Sequence, residues 1–99
     1  MELKDTISFM NSKDYKERFI AEYMQTKIRY EKLKDLNNKI EAAHRVRFSD
    51  IVEKIPEPKH DCPVELLDEQ QRAMGQYLHV LEVRAVIEGI ELPNVYRGM

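Results

Sequence analysis

The placement of proline and glycine is the strongest constraint on how this chain can fold. Its four prolines lie at positions 56, 58, 63 and 93, and it has only three glycines in 99 residues. Proline removes a helical hydrogen bond and glycine lowers helix propensity, so the stretches that lack both can form long helices. A composition rich in Ala, Glu, Lys, Leu and Arg agrees with this. We therefore predict a single all-α domain over residues 1–99.

The first long helix is predicted over residues 13–43, with Ser12 as its N-cap. A stripe recurs at intervals of three and four, with polar Asn37 filling one slot; its other positions are 15, 19, 23, 26, 30, 33 and 40. A second apolar set lies about a third of a turn away: Ile20, Met24, Ile28 and Leu36. This arc is wider than one partner helix can cover, so we expect a second copy of the chain to bury part of it.

The second long helix is predicted over residues 63–89. Pro63 suits a first helical position, Cys62 is the expected N-cap, and Gly89 is the expected stop. Its stripe is Leu67, Gln70, Met74, Tyr77 or Leu78, Leu81 and Ala85, flanked by Leu66, Val80, Val83 and Ile87. The predicted fold is thus a two-helix antiparallel hairpin completed by homo-oligomerisation.

Three shorter segments complete this prediction. Residues 1–12 should form a short amphipathic anchor helix, and residues 90–99 a tail in which Pro93 prevents further helix. The connection, residues 44–62, is long for a helical hairpin and rich in apolar side chains. We expect it to pack on the hairpin, with a helical turn at 49–54 led by Ser49.

Several classes of protein are disfavoured by the sequence. No apolar run is long enough to span a membrane, and the acidic N-terminus predicts no secretory signal. The single cysteine, Cys62, offers neither an internal disulfide nor a zinc site, so a reducing cytosol is expected. There is no glycine-rich phosphate loop, Cys–His metal spacing or nucleophile elbow. We therefore expect neither an enzyme nor a bound cofactor or metal.

The charge is unevenly distributed along the chain. Residues 13–47 hold ten basic and six acidic side chains, whereas residues 48–99 carry a net charge of −5. Either the two halves pair with each other electrostatically, or the first helix contains a local anion site. A sequence pI of about 5.9 argues against a long nucleic-acid partner.

Aromatic and basic residues alternate along the first helix. The aromatic residues are Tyr15, Phe19, Tyr23 and Tyr30, and basic residues interleaved with them include Lys16, Lys27, Arg29, Lys32 and Lys34. Aromatic faces stack on nucleobases, and lysine or arginine neutralises phosphates. At helical spacing the same aromatics can instead form core. Phe19 and Tyr23 are predicted to be core, while Tyr15 and Tyr30 lie nearer the polar face.

Two segments, residues 15–33 and 62–92, resemble a known family. Most of the match lies in the run from Lys27 to Leu33 and in a pattern on the second helix: Gln71, Met74, Tyr77, Leu81 and Arg84. They are similar to the helical-hairpin domain of small phage proteins that includes the anti-CBASS and anti-Thoeris cyclic-nucleotide sponges. The long 44–62 connection departs from the shorter turns of that family.

The resemblance implies that the protein binds a ligand without catalysing a reaction. Such proteins form compact oligomers, often hexamers, that trap cyclic di- or trinucleotides or cyclised ADP-ribose between protomers in the bacterial host cytosol. It implies that Lys27 contacts the ligand and that Tyr15 stacks on a base. We expect Lys27 to lie on a polar helix face, where replacing it should have little effect on stability. Tyr30, Arg29 and Arg72 are further candidates. The alternative is a homo-oligomeric coiled-coil module that binds another protein and no nucleotide.

Overall fold

The computed structural model describes residues 2–93, and within that range it is all-helical with no strand. A 3₁₀ turn, Leu3–Thr6, leads into a one-turn helix, α1 (Ile7–Met10). Two long helices follow, α2 (Tyr15–Val46) and α3 (Val64–Glu88). Against the predicted 13–43 and 63–89, α2 begins two residues later and ends three later, and α3 is one residue shorter at each end. Residues 94–99 of the predicted tail lie outside the described range.

The N-terminus of α2 is capped by Asp14. Its carboxylate accepts a hydrogen bond from the backbone N–H of Lys16 at 3.0 Å. Ser12, the predicted N-cap, lies outside the helix, where its hydroxyl accepts from the backbone N–H of Asp14 and donates to Glu17. An aspartate is the better cap because its negative charge also faces the positive end of the helix dipole.

The ends of α3 follow from Pro63 and Gly89. Pro63 is the N-cap, and its carbonyl accepts from the backbone N–H groups of Leu66 and Leu67, so the prediction that Cys62 caps the helix is wrong. Gly89 ends the helix at φ 69°, ψ 32°, which confirms the predicted stop. A positive φ is accessible to glycine at little steric cost.

The two long helices pack as an antiparallel hairpin, as predicted. Three side-chain hydrogen bonds record the pairing: Asn37 to Leu67, Tyr23 to Glu82, and Tyr15 to Glu88. As the α2 position falls, the α3 position rises, which defines opposite directions. A cluster near one end of the hairpin forms the main core: Phe19, Tyr23, Leu78, Leu81, Ala85 and Ile90. The burial of Phe19 and Tyr23 confirms their prediction as core.

The second apolar face of α2 is covered within the same chain. Met24 and Ile28 are each 1% exposed although only one chain is present. The N-terminal segment packs on α2, where the side-chain amide of Gln25 donates to the hydroxyl of Thr6 at 2.9 Å. The expectation that this part of α2 needs a second protomer is therefore wrong, because the anchor segment takes that place.

The apolar side chains of the connection do not pack on the hairpin as expected. Phe48 and Ile51 are 88% and 95% exposed, and Val52 and Ile55 are also exposed. No helix forms at 49–54; instead the hydroxyl of Ser49 accepts from the backbone N–H groups of Ile51 and Val52 and stabilises a bend. No helix within residues 2–93 is both long and apolar enough to cross a membrane.

Candidate functional site

Tyr15, at the first position of α2, meets the last turn of α3. Its hydroxyl donates to Glu88 Oε1 at 2.8 Å and accepts a hydrogen bond from the guanidinium of Arg84. Arg84 Nε also donates to Glu88 Oε2 at 2.9 Å. The Tyr15 side chain stays 46% exposed. We call Tyr15, Arg84 and Glu88 the Tyr15 cluster; it places an accessible aromatic ring beside a cation.

Arg84 is held in place from its other side by Phe19. The guanidinium carbon lies 4.8 Å from the centre of the Phe19 ring, within cation–π range. The hydrogen bond from Tyr15, and then that from Arg84, holds the pKa of Glu88 below its usual value. The same bond to Glu88 raises the pKa of the Tyr15 hydroxyl, because the phenol donates to a carboxylate. The cluster is therefore a charged network at the surface.

Lys27 and Tyr30 meet near the middle of α2. Lys27 Nζ lies 3.3 Å from Glu31 Oε1 and 5.7 Å from the centre of the Tyr30 ring. Lys27 is only 8% exposed, so the expectation that it lies on a polar, solvent-facing surface is wrong. Its aliphatic stem is buried with the helix packing while its ammonium pairs one turn further along. Its predicted role as a ligand contact stays a prediction.

Neither Arg29 nor Arg72 joins the Tyr15 cluster or the pair formed by Lys27 and Tyr30. Arg29 and Arg72 are exposed, on α2 and α3 respectively. Tyr30 is half-buried, and its ring lies against Gly75, where an added Cβ would stand 3.3 Å from Tyr30 Cε1. Tyr15 and Lys27 are twelve residues apart on one helix, which is about 18 Å along its axis. The structure thus brings Lys27 and Tyr30 together and leaves Tyr15 at a separate place.

Arg84 and Glu88 were not among the predicted site residues. Arg84 does occur in the pattern that carries the family resemblance, which was a usable signal. Glu88 carried no such signal in the sequence. It lies four residues after Arg84 at a helix end, and an i,i+4 ion pair explains that spacing without any function. Their meeting with Tyr15 joins positions 69 and 73 residues apart in sequence.

A cleft of about 320 Å³ opens at the opposite end of the hairpin. Its lining combines apolar, acidic and basic side chains: Asn37, Ile40, Glu41, His44, Arg45, Val64 and Asp68. The amide nitrogen of Asn37 donates to Leu67 O at 3.2 Å and Gln71 Oε1 at 2.8 Å. Its oxygen, Asn37 Oδ1, is buried with no hydrogen-bond partner among the described residues.

Glu57 fastens the connection beside this cleft. Its Oε1 lies 2.7 Å from His44 Nε2 and 3.3 Å from a guanidinium nitrogen of Arg47, and its Oε2 lies 2.6 Å from His60 Nε2. We call these four residues the Glu57 cluster. Within residues 2–93, no three His, Cys, Asp or Glu side chains are arranged to hold a metal ion.

Comparison with known proteins gives one family. The model of the family described as Sequestin matches residues 13–87, which include both long helices almost entirely and the connection between them. Neither a curated protein nor a solved structure matches the chain.

Proposed function

The chain belongs to the Sequestin family, and we propose that it binds a small cyclic nucleotide messenger and sequesters it without cleaving it. The family name points to sequestration of a ligand. The resemblance to phage sponges supplies the ligand class: cyclic di- or trinucleotides, or cyclic ADP-ribose isomers. Holding such a messenger would keep a bacterial immune effector silent.

The observation that carries this proposal is the Tyr15 cluster. An exposed aromatic ring next to an arginine offers a stacking face for a base and a cation for a phosphate. The ring is half exposed and the arginine is fixed by Phe19, so little ordering is needed on binding. The cluster joins the first residue of α2 to the last turn of α3, and residues 13–47, which include α2, hold ten of the 16 basic residues in a chain whose net charge is −2.

The proposed site lies between protomers. One small ligand is not expected to contact both Tyr15 and Lys27 of a single chain, given their separation of about 18 Å along α2. Apolar side chains also remain exposed on α3: Leu66, Tyr77, Val80, Val83, Val86 and Ile87. Leu66, Val80 and Ile87 are separated by multiples of seven, so they share one helical face, as in a coiled-coil seam. Association through this face would give the oligomer in which we propose that site residues of two copies meet.

A panel of cyclic di- and trinucleotides and cyclic ADP-ribose isomers tests the proposal. At least one compound should raise the melting temperature, because a ligand that binds only the folded state stabilises it. After denaturation the ligand should be recovered intact by chromatography. No binding across the panel, or a linearised product that accumulates with time, contradicts the proposal.

The alternative, a homo-oligomeric module that binds another protein, is favoured by the exposed apolar residues of α3 and of the connection. Tyr15→Ala separates the two functions, with Tyr15→Phe as the matched control that keeps the ring. For a nucleotide site, Tyr15→Ala weakens binding by about 1–3 kcal/mol while the assembly persists. If the protein is instead a protein-binding module, neither the parent nor Tyr15→Ala binds a nucleotide. Tyr15→Ala then lowers the melting temperature or dissociates the oligomer.

A further inference from the structure

The carboxylate of Glu88 occupies a place built for an oxyanion. Each of its two oxygens receives a separate donor, the Tyr15 hydroxyl at 2.8 Å and Arg84 Nε at 2.9 Å. Arginine recognises the oxygens of carboxylate and phosphate with the same planar donor arrangement. The Tyr15 hydroxyl and Arg84 Nε are therefore two donors of the kind that bind phosphate oxygens.

Two further positive influences act at this place. The hydrogen bonds from Tyr15 and Arg84 are the main causes of the lowered pKa of the Glu88 carboxyl, and the charge of Lys16 adds a smaller effect in the same direction. Tyr15 is the first residue of α2, so the positive end of that helix dipole lies alongside. Both favour a group with more negative charge than one carboxylate.

Two features favour displacement of Glu88 by another anion. It is the last residue of α3, where the helix dipole disfavours a negative side chain. Its side chain is 28% exposed and that of Arg84 is 43% exposed, and a partly exposed ion pair of this kind contributes little to stability. The backbone turns away immediately afterwards at Gly89. The carboxylate can therefore leave into solvent without disturbing the core.

We propose that Tyr15 and Arg84 form a phosphate-binding site that Glu88 occupies in the unliganded protein, and that a phosphate of the ligand displaces Glu88. This rests on the proposed function and adds the atoms that receive the phosphate. Phe19 holds the Arg84 guanidinium at 4.8 Å, so the donor stays in position when the carboxylate leaves. The exposed Tyr15 ring lies beside the phosphate, which fits a nucleotide better than a bare anion.

The variant Glu88→Gln gives the sharpest test, because it should strengthen binding. Glutamine keeps the size and can still accept from Tyr15, but it no longer competes as an anion. With inorganic pyrophosphate as the probe, affinity should rise about two- to fivefold, the effect of removing one exposed competing charge. Arg84→Gln should weaken binding about ten- to a hundredfold, and Arg84→Lys should restore part of it.

Glu82→Gln is the matched control. Glu82 Oε2 accepts from the Tyr23 hydroxyl at 2.9 Å on the same pair of helices, so this change removes an equivalent negative charge away from Arg84 and leaves an acceptor for the tyrosine. It should leave pyrophosphate affinity unchanged. In the NMR spectrum of the full-length protein, the Nε–Hε signal of Arg84 should move on titration. Circular dichroism and light scattering confirm that each variant keeps its fold and assembly.

The outcomes separate this inference from the proposed function. Pyrophosphate binding with no response to any cyclic nucleotide supports the anion site and contradicts the proposed function. A cyclic nucleotide that binds parent and Glu88→Gln equally, with the Arg84 signal unmoved, supports the proposed function and overturns this site. Weaker binding of pyrophosphate by Glu88→Gln also overturns it, since the carboxylate would then be part of the site and not its competitor.

Discussion

His60 donates to Glu57 through one ring nitrogen while its other ring nitrogen faces a second acceptor. Nε2 lies 2.6 Å from Glu57 Oε2, and Nδ1 lies 2.8 Å from the carbonyl oxygen of Cys62. A carboxylate and a carbonyl can only accept, so both nitrogens must carry a proton for both bonds to form. This pair of contacts favours the imidazolium form of His60, whose charge strengthens the attachment of the connection.

The attachment of the connection should depend on pH on both sides of an optimum. Hydrogen bonds to Glu57 and then to the Cys62 carbonyl raise the pKa of His60 above its ordinary 6.5. The contribution of His60 to the stability of this attachment is therefore fully present below pH 6.5, and it is lost as the pH rises through the raised pKa. Hydrogen bonds from His60 and then His44 lower the pKa of Glu57 from 4.5. That contribution is full above pH 4.5 and lost as the pH falls through the lowered pKa.

Hydrogen exchange of residues 47–62 measures this directly. After correction for intrinsic rates, protection should be highest between about pH 4.5 and 6.5 and should decline above that window. In Glu57→Gln the His60 pKa, followed by NMR, should move down toward its ordinary value. Equal protection at pH 6 and pH 9 in the parent contradicts this account.

Asn37→Asp should destabilise the hairpin strongly. The amide nitrogen of Asn37 donates to two acceptors across the helix interface, Leu67 O and Gln71 Oε1. A carboxylate would face those acceptors without a proton to donate, at a position only 6% exposed. We expect a loss of about 2–4 kcal/mol in the free energy of unfolding, measured with urea. The exposed neighbour Asn38→Asp is the control and should change it by less than about 0.5 kcal/mol.

Lys27→Ala should lower stability, contrary to the expectation from the sequence. The change removes a buried aliphatic stem and leaves Glu31, which is itself largely covered, without the ammonium at 3.3 Å. The expected cost is about 1–3 kcal/mol, and Lys27→Met should recover part of it by keeping the stem. Lys32→Ala, at an exposed position of α2, serves as control. If both alanine variants have the melting temperature of the parent, the burial of Lys27 does not contribute to stability and this prediction is wrong.

Gly75→Leu should destabilise the protein through Tyr30. Even a Cβ at Gly75 would lie 3.3 Å from Tyr30 Cε1, so a larger side chain must push the ring out of its packing. Overpacking of this kind costs about 1–3 kcal/mol, which outweighs the roughly 1 kcal/mol gained in helix propensity. Ala73→Leu, exposed on the same helix, should be near neutral. Thermal unfolding followed by circular dichroism compares the two.

The sequence by itself determined the helices and their antiparallel pairing. Proline and glycine set where helices could run, and Gly89 ended α3 as expected because its positive φ suits glycine. The period of 3.6 residues fixed which side of a helix a residue occupies, which was enough to place Phe19 and Tyr23 in the core. The family resemblance, read from residues of both long helices, was confirmed over residues 13–87.

Only the tertiary structure determined which residues each side chain packs against. Periodicity gives a residue's direction on its own helix but not the partner that covers it. The burial of Met24 within one chain and the exposure of Phe48 on the connection could therefore not be read from spacing. The contact of Tyr15 with Arg84 and Glu88 could not be predicted for the same reason. A contact between residues about seventy positions apart depends on the register of the two helices. That register is set by cross-helix hydrogen bonds such as those of Asn37 and by interlocking of the core.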